Sequence, residues 1–366
     1  MRVLVLVLCM VLLAGCGKNN DPILLGFVGG TSGRVADLGV AGRNGVILAI
    51  EQQNAAGGIH GRLVELLVQD DGQDTEQARA AVSQLLEAGV IAIVGPMTSG
   101  VAVDVVDLAN AARVPLIAPT VTTKALAGLD DYFLRVVAPT SHNAGVMADF
   151  IYFDENARRI ATVYDMTNRA YAESWLDDFS NAFVEHGGER PVREAFVSGP
   201  DADFGAIMER LLATEPDAVG LVSNSVDAAV LLKELRVRAP ELTVFTSEWA
   251  GTERLVELAG RYAEGVYAPQ YLDRDSTQPA YLAFRDAYVA RFGQEPGFAG
   301  MLAYDATRMT LTAIADSRNP RDVRDTILRT ARYPGVQYPI YINQFGDGAN
   351  TTFITQIRGG QFRVVR

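Results

Sequence analysis

The sequence predicts an α/β fold built from two doubly wound, Rossmann-like lobes. Short apolar runs alternate with helical segments, which is the pattern of parallel sheets covered by helices. The chain has 366 residues, of which 49% are hydrophobic, and this is enough for two lobes rather than one. A second series of strand–helix units begins near Pro139, where the chain is expected to leave the first lobe.

The formal net charge is −12, and no basic run occurs in the chain. This balance argues against nucleic acid or an anionic membrane surface as a direct partner. The acidity itself is typical of a solvated surface and identifies no ligand.

Residues 1–15 are predicted to be a lipoprotein signal peptide. Arg2 is followed by an apolar run over residues 3–13, and Leu13-Ala14-Gly15-Cys16 matches the lipobox in which Cys16 becomes lipidated. The alternative is a plain secretory signal with a chance cysteine. Residues 16–21 read as a tether, so the protein is expected to be anchored to a membrane rather than to span it. Because Cys9 lies inside the signal, no disulfide is expected.

The first strand and helix are predicted at residues 23–28 and 38–54. The helix carries an apolar face and ends before Gly57-Gly58, a glycine stop. The glycine-rich loop between them, residues 29–33, lacks the G-x-G-x-x-G spacing and is followed by no G-K-S/T. It therefore reads as a tight crossover. A strand at residues 63–69 and a helix at 76–88 continue the alternation.

Residues 90–123 form the most informative βαβ unit. A buried strand at residues 90–94 ends at Gly95-Pro96, and Thr98 and Ser99 offer N-cap hydroxyls to the helix that follows. The next strand runs into Thr120-Val121-Thr122. Polar groups at the carboxyl ends of parallel strands, beside a helix start, suit a carboxylate or another small anion. The alternative is ordinary helix capping, and the pattern alone leaves both open.

The second lobe repeats the unit, and its predicted elements are helix 142–152, strand 159–164, helix 171–186, strand 194–197, helix 204–214, strand 218–222, helix 227–238 and strand 242–246. The three helices after residue 269 lack intervening strands, so they are expected to cover an existing sheet. A terminal hairpin is predicted between residues 338–343 and 351–357.

No catalytic or metal-binding pattern is present. His60, His142 and His186 are scattered, and neither H-E-x-x-H nor G-x-S-x-G occurs. The sequence therefore predicts a protein that is not an enzyme and needs no cofactor.

Seven further motifs are distributed along the chain. They are LAIEQQNAAGGIHGR (48–62), QDDGQD (69–74), VGPMTS (94–99), VPLIAPTVT (114–122), DFGAIMERL (203–211), EGVY (264–267) and AYDA (303–306). Together, and in this order, they resemble the type I periplasmic solute-binding proteins, in the branch that binds leucine, isoleucine and valine. The resemblance covers the chain from residue 23 onwards.

The resemblance implies two lobes joined by three crossings, with a ligand cleft between them. The crossings are expected near Pro139, Pro269 and Gln337. The first lobe would then comprise residues 22–139 and 270–337. The second lobe would comprise residues 140–269 and 338–366.

The resemblance also implies the residues of the site. Ser99, Thr120 and Thr122 fall on the family's carboxylate positions, Glu248 on its ammonium-binding acid and Tyr304 on a late tyrosine of the first lobe. Where the family has two further tyrosines, this chain has Leu38 and Asn224, so a branched aliphatic ligand is in doubt. Trp249 and Tyr171 offer aromatic rings, and Asp305 reads as structural.

The function implied is that of a monomeric, extracytoplasmic binding lipoprotein that delivers an amino acid to the permease and ATPase of an ABC importer. It would act by hinge closure. The alternative is a receptor of the same fold that senses an amide or a small carboxylate and is not coupled to transport.

Overall fold

The computed structural model describes residues 21–366, so the predicted signal peptide and Cys16 lie outside the described residues. The first sheet has five parallel strands in the order β2-β1-β3-β4-β5. Its elements are β1 (Ile23–Gly29), α1 (Ala36–Ala55), β2 (Val64–Asp70), α2 (Thr75–Glu87), β3 (Ile93–Val94), α3 (Ser99–Ala112), β4 (Leu116–Ala118) and β5 (Phe133–Arg135).

The second sheet begins with five parallel strands and carries helices on both faces. Its elements are α4 (Thr140–Asp149), β6 (Ile160–Asp165), α5 (Arg169–Glu185), β7 (Val192–Phe196), α6 (Phe204–Leu212), β8 (Ala218–Val222), α7 (Ser225–Arg238), β9 (Thr243–Thr246), α8 (Glu253–Ala259) and β10 (Tyr267–Gln270). Successive residues of β6 point to opposite faces of this sheet, and those on both faces are apolar and buried. Ala161 and Val163 pack towards α6 and α7, whereas Ile160 packs into the core that includes α4 and α5.

The next three helices return to the first lobe, as predicted. They are α9 (Pro279–Phe292), α10 (Gly297–Asp316) and α11 (Val323–Thr330). The helix α10 packs along α1 and contacts β3 and β4, so α1 and α10 cover one face of the first sheet. The helices α2 and α3 share the core on its other face.

The predicted terminal hairpin is wrong. The strand β11 (Arg332–Tyr333) pairs with β12 (Ile340–Ile342), which pairs in turn with β13 (Gly348–Ala349) in a small separate sheet. The last strands, β14 (Phe353–Arg358) and β15 (Gln361–Val364), form the hairpin and extend the second sheet antiparallel to β10. The short span from Ile342 to Gly348 closes a local turn, and this explains why the predicted partners do not meet.

The small sheet contacts the first sheet rather than the second. The backbone N–H of Arg135 donates to the carbonyl of Gly346 at 2.9 Å, and the buried Arg135 guanidinium binds Asp347 at 2.6 Å. The chain therefore enters the second sheet after residue 350, later than the crossing placed near Gln337. The other two passages follow β5 and β10, beside Pro139 and Pro269.

Candidate functional site

A narrow cavity lies between the two lobes, beyond the carboxyl ends of the strands. The first lobe contributes Leu38, Met97, Thr98, Ser99, Thr120 and Phe298, and the second contributes Asn168, Tyr171, Glu248 and Trp249. This position is where open α/β sheets bind ligands. Six predicted site residues thus meet in one cavity: Leu38, Ser99, Thr120, Tyr171, Glu248 and Trp249.

The first-lobe wall presents hydroxyl groups at the start of α3. Ser99 is the first residue of this helix, and its Oγ accepts the backbone N–H groups of Thr122 and Thr123, both at 3.3 Å. Because Ser99 accepts in both bonds, its own proton is free to be donated. The buried Oγ1 of Thr122 has no hydrogen-bond partner among residues 21–366. Two hydroxyls beside the positive end of a helix suit a carboxylate.

Thr120 differs from the other two hydroxyl residues. Its Oγ1 donates to the carbonyl oxygen of Met97 at 2.5 Å. The hydroxyl is therefore already used as a donor, and it offers a ligand only its lone pairs.

The second-lobe wall contains a buried carboxylate. Glu248 lies two residues after the end of β9 and is only 4% exposed. Its Oε2 accepts the indole N–H of Trp175 at 3.0 Å, and its Oε1 accepts the hydroxyl of Tyr271 at 3.4 Å. Burial raises the pKa of the Glu248 carboxyl. Within residues 21–366, no cation is among the groups that shift the pKa of Glu248, so this buried carboxylate has hydrogen-bond donors but no paired positive charge.

Further polar side chains surround the Glu248 carboxylate. The hydroxyl of Tyr171 and the Nδ2 of Asn143 face it, and their interactions with its charged form act against the rise in the pKa of Glu248 that burial causes. Burial, followed by the nearby Glu248, raises the pKa of Tyr171 well above its usual range, so this phenol stays neutral.

The apolar wall of the cavity consists of Leu38, Met97, Trp249 and Phe298, all nearly fully buried. The rings of Trp249 and Tyr171 meet edge to face, with centroids 5.7 Å apart. This wall suits an apolar ligand side chain.

Three predicted site residues do not line the cavity: Thr122, whose N–H donates to Ser99, and two residues whose side chains are engaged elsewhere. The hydroxyl of Tyr304 donates to Gln52 on α1 at 2.6 Å, and its ring packs on Phe284, so Tyr304 belongs to the packing of α1, α9 and α10. Asn224 is the N-cap of α7, where its Oδ1 accepts the backbone N–H of Asp227 at 3.0 Å. Both side chains are occupied, and neither lines the cavity.

The sequence reasoning missed Met97, Thr98, Asn168 and Phe298. Asn168 is the N-cap of α5, yet its Oδ1 accepts the N–H of Gly100 from the opposite lobe at 2.8 Å. The available signals were an asparagine at a helix start and an aromatic residue directly after Pro296-Gly297. Asp305 lies outside the cavity, where its carboxylate accepts the N–H of Val336 at 3.1 Å.

Two doubly wound lobes that close on a shared cavity define the class of bilobed binding proteins. The chain belongs to the periplasmic binding protein family, whose model matches residues 22–361. Members of this family are solute-binding proteins. No helix within residues 21–366 is long and apolar enough to cross a membrane.

Two relatives carry names that specify a ligand class. The chain is 26% identical over 337 residues to the Leu/Ile/Val-binding protein BraC3 of Rhizobium johnstonii, covering 91% of this chain and 90% of that protein. It is 29% identical over 245 residues to the Leu/Ile/Val-binding protein homolog 3 of Brucella melitensis, covering 66% of each chain.

Three solved structures share the fold over 94% of this chain. The leucine-binding protein LivK of Thermotoga maritima gives a TM-score of 0.87 at 23% identity, with 98% of that chain covered. LivJ of Streptococcus pneumoniae in complex with isoleucine gives 0.85 at 25% identity and 99% coverage. A solute-binding protein of R. palustris in complex with benzoate gives 0.85 at 17% identity and 95% coverage.

Proposed function

We propose that this chain is the extracytoplasmic solute-binding component of an ABC importer and binds an α-amino acid with an apolar side chain. The supporting observation is that hydroxyl groups on one side of the cavity lie opposite a carboxylate on the other side. On the first lobe, Ser99 offers a hydroxyl in the cavity wall, and the hydroxyl of Thr122, whose N–H donates to Ser99, is buried without a partner among residues 21–366. On the second lobe, Glu248 offers a buried carboxylate with no paired cation. A zwitterion matches both walls at once.

The ligand side chain would face Leu38, Met97, Trp249 and Phe298. Leucine and isoleucine are compatible with this wall, and several relatives bear names with these amino acids. Tyr171 and Asn168 would contact the ligand from the second lobe. We infer no contact from Tyr304 or Asn224, because their polar atoms are engaged elsewhere.

A second candidate ligand is an aromatic carboxylate. The rings of Tyr171, Trp249 and Phe298 favour it, and one structural neighbour is in complex with benzoate. Glu248 argues against it, because a buried carboxylate facing an anion without an ammonium leaves both charges uncompensated. A receptor that is not coupled to transport would share the same cavity.

The test compares L-leucine with 4-methylpentanoate, its deaminated analogue, by calorimetry on wild-type protein and Glu248→Gln. An amino-acid site should bind 4-methylpentanoate far more weakly than leucine, because a buried charge without its partner costs about 2–5 kcal/mol. Glu248→Gln should weaken leucine strongly and change 4-methylpentanoate little. Glu209→Gln, at an exposed position on α6, is the matched control.

Two results would reject the assignment. If Glu248→Gln weakens both compounds equally, Glu248 is structural. If wild-type protein prefers 4-methylpentanoate or benzoate, the cavity is an anion site. A thermal-shift screen with amino acids, amides and small carboxylates would find the best ligand, since binding raises the melting temperature.

The proposal includes a membrane anchor at Cys16, with cleavage after residue 15. The supporting observation is the lipobox at residues 13–16. The first described strand begins at Ile23, so a tether of residues 16–21 would leave both lobes clear of the bilayer surface. The permease and ATPase of the importer would be its partners, and the binding protein would act as a monomer.

A further inference from the structure

The short turn before α1, residues 33–35, and the first turn of α1 make a group of polar contacts with the second lobe, outside the cavity. The guanidinium of Arg34 binds the carboxylate of Asp227 at 2.6 Å. The carboxylate of Asp37 accepts the hydroxyl of Ser225 at 2.7 Å and the hydroxyl of Thr252 at 2.6 Å. Arg34 and Asp37 belong to the first lobe, and their three partners belong to the second, so every one of these contacts joins the lobes.

The partner of Arg34 is fully buried in the second lobe. Asp227 accepts the amide of Asn224 at 2.7 Å and the hydroxyl of Ser198, and Asn224 also reaches Asp165 at 3.3 Å. The cluster thus contains two buried carboxylates joined by an asparagine. Arg34, with its side chain 39% exposed, is the cation that pairs with Asp227. Because this cation comes from the other lobe, separation of the lobes removes it.

Asp37 has a comparable dependence on closure. Its carboxylate lies at the first residue of α7, Ser225, where the partial positive charge of the helix N-terminus favours an anion. If the lobes separated, the Asp37 carboxylate would lose these hydrogen bonds and would be solvated by water instead. Arg34 and Asp37 therefore both favour the arrangement in which the lobes touch.

These contacts lie beside the cavity but not in it. Arg34 and Asp37 line a groove between the lobes that also includes Thr252 and Phe298, and Phe298 lines the cavity as well. Neither Arg34 nor Asp37 is part of the cavity wall. By contrast, the ion pair of Lys124 with Asp178 adjoins the first crossing, because Asp178 also accepts the hydroxyl of Thr140. Contacts beside a hinge change less on opening than contacts remote from it.

We propose that Arg34 and Asp37 form a latch, here the α1 latch, that stabilises the closed arrangement without touching the ligand. The latch rests on the proposed function, in which ligand is held between closing lobes. A closed state that is populated more often binds every ligand more tightly by the same factor. Arg34 and Asp37 are thus positioning residues that set affinity, whereas residues of the cavity wall set specificity.

The structure supplies a reporter of lobe separation that needs no ligand. The N–H of Gly100 donates to Asn168 across the cleft, so it can exchange with solvent only when the lobes part. The N–H of Gly26 donates to the carbonyl of Ala92 within the first sheet and reports unfolding of that lobe instead. Residue-resolved hydrogen exchange of the ligand-free protein measures the exchange rates of both N–H groups.

The variants are Arg34→Ala, Asp37→Ala and the double variant, compared with wild-type protein. Exchange at Gly100 should become roughly tenfold faster in the double variant, with Gly26 unchanged. Arg34→Lys should restore most of the protection. Arg210→Ala is the control, because Arg210 pairs with Glu194 inside the second lobe. Affinities for L-leucine and L-valine should fall by equal factors, chiefly through faster dissociation.

Unchanged exchange at Gly100 in the double variant would overturn the latch. So would equal acceleration at Gly26, which indicates general destabilisation, or unequal losses of affinity for the two amino acids. If wild-type protein binds neither amino acid while Gly100 still exchanges faster in the double variant, the latch holds and the proposed ligand class fails.

Discussion

Asp305 shows how one buried side chain affects the pH dependence of folding. Its carboxylate is almost fully buried and accepts the N–H of Val336, and burial raises the pKa of Asp305 to about 7. Arg308 acts in the opposite direction without offsetting the burial. Between the unfolded pKa of 3.8 and about 7, the folded state binds a proton that the unfolded state has lost. The free energy of unfolding therefore falls as the pH rises through this range.

We expect Asp305→Asn to remove this pH dependence. The variant should gain stability relative to wild-type protein between pH 5 and pH 8, by roughly 1–4 kcal/mol for a shift of this size. Urea unfolding at the two pH values measures the difference. Asp286→Asn, at an exposed position on α9, should show no such change. A difference that is the same at both pH values would mean that Asp305 is ionised throughout.

At the residue scale, chemistry and position are predictable to different degrees. The position of Glu248 was predictable because it lies just after the end of a parallel strand, and the carboxyl ends of parallel strands meet at the edge of the sheet that faces the cleft. Tyr304 was not, because α10 turns by about 100° per residue. Six residues separate Tyr304 from Phe298, and only the earlier residue reaches the cavity. The prediction for Asn224 was wrong for another reason. An asparagine that caps a helix and an asparagine that binds a ligand can stand in the same local sequence, and Asn224 is the cap.

At the element scale, the contact between α1 and α10 depends on glycine. A Cβ on Gly45 would lie 2.2 Å from the carbonyl oxygen of Gly300 and 3.0 Å from the N of Tyr304. Both neighbours are backbone atoms, so the helices would have to separate. A Cβ on Gly145 of α4, by contrast, would have no heavy atom within 4 Å.

We expect Gly45→Ala to lower the free energy of unfolding by about 1–3 kcal/mol, the usual effect of overpacking. Gly145→Ala should instead raise it by about 0.5–1 kcal/mol, because alanine favours the helix and meets nothing. Chemical denaturation of both variants provides the comparison. Equal effects of the two substitutions would show that helix propensity, and not the close contact, decides the outcome at Gly45.

The elements themselves were largely predictable, because the apolar runs and glycine stops mark each strand and helix locally. The exception is the chain after α11. Residues 338–343 and 351–357 both have strand character, but pairing depends on tertiary contacts such as that between Arg135 and Asp347. Strand pattern fixes which residues are extended and leaves the partner open.

At the scale of the whole molecule, hydrogen bonds connect the segments in which the chain passes between the lobes. The side chain of Gln337 donates to the carbonyl of Asp273 at 2.6 Å, and the N–H of Ala138 donates to Asn350 at 2.6 Å. The bond between Ala138 and Asn350 ties the first passage to the third, and the bond between Gln337 and Asp273 ties the second passage to the segment that precedes β12. The N–H of Thr140, at the start of α4, also donates to the carbonyl of Thr122 at 2.8 Å, and the N–H of Thr122 donates to Ser99, which lines the cavity.

This connection leads to the prediction that ligand binding and closure are one event. Ser99 is 1% exposed and Glu248 is 4% exposed, so a ligand cannot reach them until the lobes rotate apart. In small-angle X-ray scattering, protein saturated with L-leucine should match the curve calculated from this closed structure. Ligand-free protein should show a larger radius of gyration, because its population includes the open state.

An amino acid that leaves the melting temperature unchanged serves as the control and should leave the scattering unchanged as well. Identical curves with and without a ligand whose binding is proven by calorimetry would mean that the lobes form a rigid body, and solute would then have to reach Glu248 by local motion of the groove beside Phe298.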